Sequence, residues 1–132
     1  MLHAQNGAPR RAYHSVFVLC ARKQGDSVAM TDHKKNCERS IRTALRKRHL
    51  RHHIAREDVL IIDELGLAHA QSRIDLAVFN GHLHGYEIKS AGDTLERLPR
   101  QLTFYTDALQ KLTLVLATRH LEAAEAWVPD WC

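Results

Sequence analysis

The chain has 132 residues, a hydrophobic content of 45% and a formal net charge of +4, values typical of one small basic globular domain. No apolar run approaches the roughly 18 residues of a membrane-spanning helix, and the longest early run, residues 16–21, is shorter than the apolar region of a typical signal peptide. We therefore expect no membrane association and a cytoplasmic location. The three cysteines are widely spaced and form no CxxC pair, which excludes a zinc framework and favours reduced thiols.

Charge is unevenly distributed along the chain. Residues 1–56 contain 13 Lys and Arg against 3 Asp and Glu, whereas residues 57–132 contain 6 against 12. A basic first segment and an acidic second one suggest that the former grips a polyanion and the latter holds metal ions. The alternative is a basic helix that is simply solvated.

The N-terminal part of the chain shows no sustained periodicity. Residues 1–36 are therefore predicted to be a poorly ordered or loosely attached extension, and residues 37–132 to form the domain. Met30 lies just before the organised region and is a second candidate for the translation start. Asn36 is predicted to cap a basic helix that runs from Cys37 to about Arg51.

Three strands are predicted to follow this helix. The first covers residues 59–62, and residues 73–79 and 82–89 form a hairpin around Asn80-Gly81. A two-residue turn would split the apolar residues of the hairpin between two faces. A three-residue loop with Gly81 or His82 in the left-handed conformation, or a bulge near Gly85, avoids this.

The three-residue loop also decides which residues share a face of the hairpin. It pairs Asp75 with Glu87 and places Lys89 beside them. The opposite face then carries the apolar residues Ile74, Leu76, Val78, Tyr86 and Ile88.

The last third of the chain predicts a helix, a strand and a closing helix. Residues 95–110 show helical spacing and tolerate Pro99 if it lies in the first turn, residues 112–118 read as a buried strand, and residues 120–127 as a short helix. The order helix, three strands, helix, strand, helix predicts a mixed α/β domain.

Two carboxylates and an amine on one sheet face can hold a divalent cation and activate water beside it, which is the chemistry of metal-dependent phosphodiester hydrolysis. Asp75, Glu87 and Lys89 would supply these groups. A further acid is ambiguous from the sequence: Glu64 at a strand end is preferred, and Glu38 on the first helix is the alternative. For either residue, the alternative is a plain surface carboxylate.

These residues, with helices before and after them, resemble the PD-(D/E)XK nuclease superfamily, and residues 62–105 resemble a small uncharacterised bacterial branch of it. The resemblance implies a restriction-endonuclease-like core, a site for Mg²⁺ or Mn²⁺, and catalysis by Glu64, Asp75, Glu87 and Lys89. The backbone carbonyl of Ile88 would be a further metal ligand. Substrate contacts are expected from the polar residues Arg73, Arg97, Arg100, Gln101 and Tyr105.

The function implied is a metal-dependent nuclease acting on nucleic acid, with DNA preferred. A catalytically inactive nucleic-acid-binding or accessory module with the same fold is the alternative, and a third hypothesis is activity that requires a second subunit. A domain of this size has little room for sequence-specific readout, which favours a homodimer or a protein partner.

Overall fold

A four-stranded mixed sheet forms the centre of residues 33–127, the part of the chain that the computed structural model describes. The predicted extension at residues 1–36, with Met30, lies almost wholly outside this range. The elements in chain order are α1 (His33–Arg48), α2 (Arg51–Ile54), β1 (Leu60–Leu67), β2 (Ser72–Phe79), β3 (Leu83–Lys89), α3 (Leu98–Ala108), β4 (Lys111–Leu116), a 3₁₀ turn (Thr118–His120) and α4 (Leu121–Glu125).

The first helix differs from its prediction at both ends. It begins at His33, so Asn36 lies inside the helix and the predicted cap is wrong. Extending a helix that has already nucleated adds one hydrogen bond for each residue fixed, so a polar segment can be included. The helix ends before Leu50, which is 1% exposed, and the chain then restarts as the separate short α2.

The four strands lie side by side in the order β1-β2-β3-β4. The first three are antiparallel, and β4 pairs parallel to β3 after the crossover through α3. The mixed α/β class is therefore confirmed. Pro99 lies in the first turn of α3, as predicted, where its missing N–H costs no helical hydrogen bond.

The register predicted for the β2–β3 hairpin is confirmed. Phe79 pairs with Leu83 and Leu76 with Tyr86, so the connection has three residues. Gly81 has φ +88°, the left-handed conformation that such a loop requires.

Both faces of the sheet are covered, which corrects one predicted residue position. Leu76, Val78, Tyr86 and Ile88 pack with Leu45 and Leu50 on the α1 side. Ile74 instead joins the cluster on the α3 side. A Cβ built on Gly85 would meet Ile74 Cγ1 at 3.0 Å and Leu109 Cδ1 at 2.5 Å, so an alanine there would force these two core side chains to shift.

The change of side follows from an irregularity at Asp75. No ladder pair links Asp75 to Glu64, which lies opposite it, and Glu64 has the left-handed φ of 53°. The strand therefore loses its strict alternation between Ile74 and Leu76. Among the helices of the described residues, none combines the length and apolar character needed to cross a membrane.

Candidate functional site

Asp75 lies at this irregularity and is the half-buried centre of the site. Its Oδ2 accepts a hydrogen bond of 2.7 Å from the backbone N–H of Ile88. Burial, followed by the negative charges of Glu87 and Glu38, raises the pKa of Asp75 to about 7. The side chain therefore exchanges its proton near neutral pH and would be ionised by a nearby cation.

Three acids converge beside α1 and form what we call the acid trio: Glu38, Glu64 and Asp75. One carboxylate oxygen from each lies within 4.8 Å of the others. Oxygen donors at this spacing are the ligand type that Mg²⁺ and Mn²⁺ prefer. Glu38 and Glu64, the two alternatives for one further acid in the sequence analysis, thus both lie beside Asp75.

Two arginines neutralise part of this charge. Arg42 donates to Glu38 at 2.6 Å and to Glu64 at 3.2 Å, and Arg73 donates to Glu64 at 3.1 Å. Hydrogen bonds from Arg42 and then Arg73 lower the pKa of Glu64. A metal ion at the acid trio would therefore have to replace Arg42 as the counter-charge.

Glu87 belongs to a separate buried network rather than to the acid trio. It is 2% exposed and accepts hydrogen bonds from the Tyr105 hydroxyl at 2.7 Å and the Gln101 amide at 3.0 Å. The Lys89 ammonium lies 2.8 Å from Glu87 and donates to the Gln101 carbonyl oxygen at 3.0 Å. Burial and the neighbouring Glu87 carboxylate raise the pKa of Tyr105. The donors around Glu87 already satisfy its two oxygens.

The Ile88 contact differs in kind from the one predicted. The structure shows its N–H bound to Asp75, and its carbonyl as a metal ligand stays a prediction. The Tyr105 hydroxyl also lies 2.8 Å from the carbonyl oxygen of Arg73, so its single proton can bond either to Glu87 on β3 or to this oxygen on β2.

A cavity of about 450 Å³ opens beside this network, and we call it the arginine cavity. The Arg100 guanidinium lies 6.0 Å from the centre of the Phe104 ring, a cation–π distance. None of the lining residues is acidic. They are Gln71, Ser72, Arg73, Arg97, Arg100, Gln101 and Phe104.

The arginine cavity brings together four of the five residues predicted to contact substrate, whereas Tyr105 lies in the buried network. The sequence interpretation missed Arg42 at the acid trio and Phe104 in the cavity wall. The four-residue spacing of Arg42 from Glu38 was an available signal, since such pairs are neighbours on a helix. Phe104 carried no signal beyond helical spacing.

Comparison with known proteins points to a phage protein family. A family model described as Bacteriophage P4 protein cII matches residues 31–131. A curated relative, "Protein cII" of Enterobacteria phage P4, is 42% identical over 62 residues, which are 47% of this chain and 24% of the relative. The match thus spans about a quarter of the relative's length. No solved structure matches the chain significantly.

These matches correct the functional expectation from the sequence. The resemblance to the PD-(D/E)XK superfamily is wrong, because the family that matches is that of the phage protein cII. The nuclease, hydrolase and enzyme interpretations, which depended on that resemblance, are wrong for the same reason. The α/β class holds, but a restriction-endonuclease-like core has no support from a solved structure.

Proposed function

The chain belongs to the bacteriophage P4 protein cII family, and from that premise we propose that it is a regulatory module that binds nucleic acid without cleaving it. The outer face of α1 would contact the phosphate backbone, and the acid trio would hold Mg²⁺ or Mn²⁺. A second copy or a protein partner would extend the contact surface, because a domain of this size offers a short interface.

The observation that carries the proposal is the way α1 divides its basic residues. Arg42 and Arg46 are directed at the sheet, where Arg46 pairs with Asp63 at 2.7 Å. Arg39, Lys47 and Arg48 are exposed and take part in none of the ion pairs found among the described residues. We call these three residues the outer cations.

The outer cations do not stabilise the fold, but they can bind a phosphate backbone. Unpaired exposed charges on one helix repel one another and contribute nothing to packing. Contacts between cations and phosphates release counterions, which gives nucleic-acid binding a steep dependence on salt. The exposed face of this helix is therefore suited to bind a polyanion through its charge, without reading a nucleotide sequence.

Salt dependence of duplex binding tests the outer cations directly. Fluorescence anisotropy would measure the affinity of the full chain for a labelled DNA duplex over a range of salt concentrations. Each phosphate contact contributes a slope of about −0.9 in log K against log [salt], so the variant Arg39→Gln/Lys47→Gln/Arg48→Gln is expected to lose about two to three units of slope.

A matched control removes the same charge elsewhere. Arg56, Lys111 and Arg119 are exposed and lie outside α1, so Arg56→Gln/Lys111→Gln/Arg119→Gln has the same net charge as the test variant. This control is expected to keep most of the slope. Equal losses in the two variants would mean that only overall charge matters, and would contradict a binding face on α1.

The acid trio supports the metal part of the proposal. Its three carboxylates lie close together, and a divalent cation would offset the burial and the negative charges of Glu87 and Glu38 that raise the pKa of Asp75. Titration calorimetry with MgCl₂ or MnCl₂ is expected to show binding to the natural chain and little to Asp75→Asn. The exposed Asp107→Asn is the control, and binding unchanged in Asp75→Asn would refute the site.

A further inference from the structure

We propose that the arginine cavity binds the terminal phosphate of a nucleotide strand, with the adjoining nucleoside against Phe104. The proposal rests on the proposed nucleic-acid binding for the source of the ligand, but the chemistry of the cavity stands independently. A terminal phosphomonoester next to an aromatic wall is the ligand class.

The charge of the cavity points to an anion. Three of its lining side chains are arginines, and no acidic side chain lines it. Arg97 and Arg100 are exposed at its rim and take part in none of the ion pairs among residues 38–127. Guanidinium groups bind phosphate oxygens through pairs of parallel N–H bonds, so two of them can engage a phosphate from two directions.

Arg73 is the third cation and is shared with the acid trio. Its side chain is 65% exposed and pairs with Glu64 at 3.1 Å, which leaves other N–H groups of the planar guanidinium unoccupied by that carboxylate. An exposed pair of this kind contributes little to stability. Arg73 can therefore turn toward a phosphate at low cost.

Polar groups beside the arginines can complete the coordination of a phosphate. Gln71 lines the cavity and carries amide N–H donors, whereas the amide N–H groups of Gln101 already donate to Glu87 and Tyr105. The Ser72 hydroxyl is buried next to the Tyr105 phenol but has no hydrogen bond of good geometry there. Because Ser72 also lines the cavity, its hydroxyl could donate to a ligand there without breaking such a bond.

The dimensions of the cavity favour the end of a strand. A volume of about 450 Å³ lies within the range of small-molecule sites and suits a single nucleotide. A terminal phosphate carries close to two negative charges at neutral pH, whereas an internal phosphodiester carries one, so three arginines favour the terminal group. Phe104 supplies an apolar surface for the sugar or base.

The first experiment distinguishes binding of a terminal phosphate from binding of the internal phosphates of a strand. Calorimetry would compare oligonucleotides that differ only in carrying a 5′ phosphate, a 3′ phosphate or hydroxyl groups at both ends. A preference of about tenfold or more for one phosphorylated end is expected. Equal affinity for all three overturns the proposal.

Substitutions then connect the preference to the cavity. Arg97→Gln and Arg100→Gln are expected to weaken binding of the phosphorylated end by about tenfold or more each, since each removes a charge-assisted hydrogen bond. Arg56→Gln removes an exposed arginine that does not line the cavity, so this control should leave the affinity for the phosphorylated end unchanged. A preference that survives Arg97→Gln/Arg100→Gln overturns the site.

Two free ligands test the aromatic wall. Inorganic phosphate and deoxyadenosine monophosphate share the phosphate group, and the nucleotide is expected to bind more tightly. Phe104→Leu should remove this difference and keep phosphate binding, whereas a difference that survives the substitution overturns the role of Phe104.

Substitution of the outer cations distinguishes phosphate binding in the arginine cavity from nucleic-acid binding through α1. The variant Arg39→Gln/Lys47→Gln/Arg48→Gln should lose affinity for a duplex with hydroxyl ends but keep that for deoxyadenosine monophosphate. If hydroxyl-ended duplex binds through α1 and the mononucleotide fails to bind, the cavity proposal fails alone. If the mononucleotide binds and the duplex does not, nucleic-acid binding through α1 fails alone.

Discussion

Replacing Asp75 by Asn should make the protein more stable at high pH and leave it unchanged at low pH. The folded state raises the pKa of Asp75 from 3.8 to about 7, chiefly through burial. Below pH 3.8 the carboxyl is protonated in both the folded and unfolded states and has no effect. As pH rises toward 7, the unfolded state loses this proton first, so the free energy of unfolding falls.

The size of the effect follows from the pKa difference. A tenfold change in proton affinity is worth about 1.4 kcal/mol, so the change from 3.8 to about 7 corresponds to an upper value of about 4 kcal/mol. Partial exposure and local relaxation reduce it, and we expect about 2–4 kcal/mol at pH 8. Asn keeps an oxygen that can accept the hydrogen bond of 2.7 Å from the Ile88 N–H, so the substitution changes charge more than shape.

Urea unfolding at pH 4 and pH 8, followed by circular dichroism, measures this difference for Asp75→Asn against the natural chain. The two proteins should have similar stability at pH 4 and separate as pH rises. Asp107→Asn removes an exposed carboxylate on α3 and serves as the control. A constant offset at both pH values would refute the reasoning, because it would mean that the substitution acts through packing rather than ionisation.

Three further substitutions test other parts of the fold. His84→Gln should reduce the rise in stability between about pH 4 and 6.5 in urea titrations, because burial lowers the pKa of His84 to about 4 and the unfolded state takes up the proton first. Gly85→Ala should destabilise by about 1–3 kcal/mol in thermal unfolding, because its Cβ would lie 2.5 Å from Leu109. Tyr105→Phe should cost about 1–3 kcal/mol in urea unfolding, because buried Glu87 loses a donor at 2.7 Å. A stability unchanged in any of them contradicts the contact concerned.

The hairpin shows what the sequence can determine. Alternation of apolar residues and a glycine near the turn favour a three-residue loop, because a two-residue turn would split the apolar residues between two faces. The observed loop and the φ of +88° at Gly81 follow from that constraint. The prediction used only local information, because both strands and their connection are neighbours in sequence.

The position of Ile74 could not be predicted in the same way. Its side of the sheet depends on the interruption at Asp75, which coincides with a left-handed Glu64 on the neighbouring strand. Glutamate rarely adopts that conformation, and nothing adjacent to Glu64 in the sequence requires it. The irregularity arises from contacts between strands, which a reading of single segments does not contain.

The sequence indicated which residues lie in the candidate site better than it indicated how they are arranged. Asp75 and Glu87 do lie near each other, but Glu87 is enclosed by Tyr105, Gln101 and Lys89, and the acid trio forms with Glu38 instead. An Asp followed by Glu-x-Lys is compatible with either arrangement. The spacing alone therefore could not separate catalysis from a structural network.

The acid trio is maintained at a cost in stability, and this argues for a binding role. A left-handed Glu64 costs about 1–2 kcal/mol, and ionised Asp75 destabilises the fold further. Strained and mutually repelling groups persist where a ligand uses them. If a metal ion replaces Arg42 between the acids, the released guanidinium gains freedom to contact phosphate, so the two ligands should assist each other. Mg²⁺ is therefore expected to raise DNA affinity in the natural chain and not in Asp75→Asn. An equal effect of Mg²⁺ on both proteins, measured at constant ionic strength, would show that the ion acts on the DNA alone.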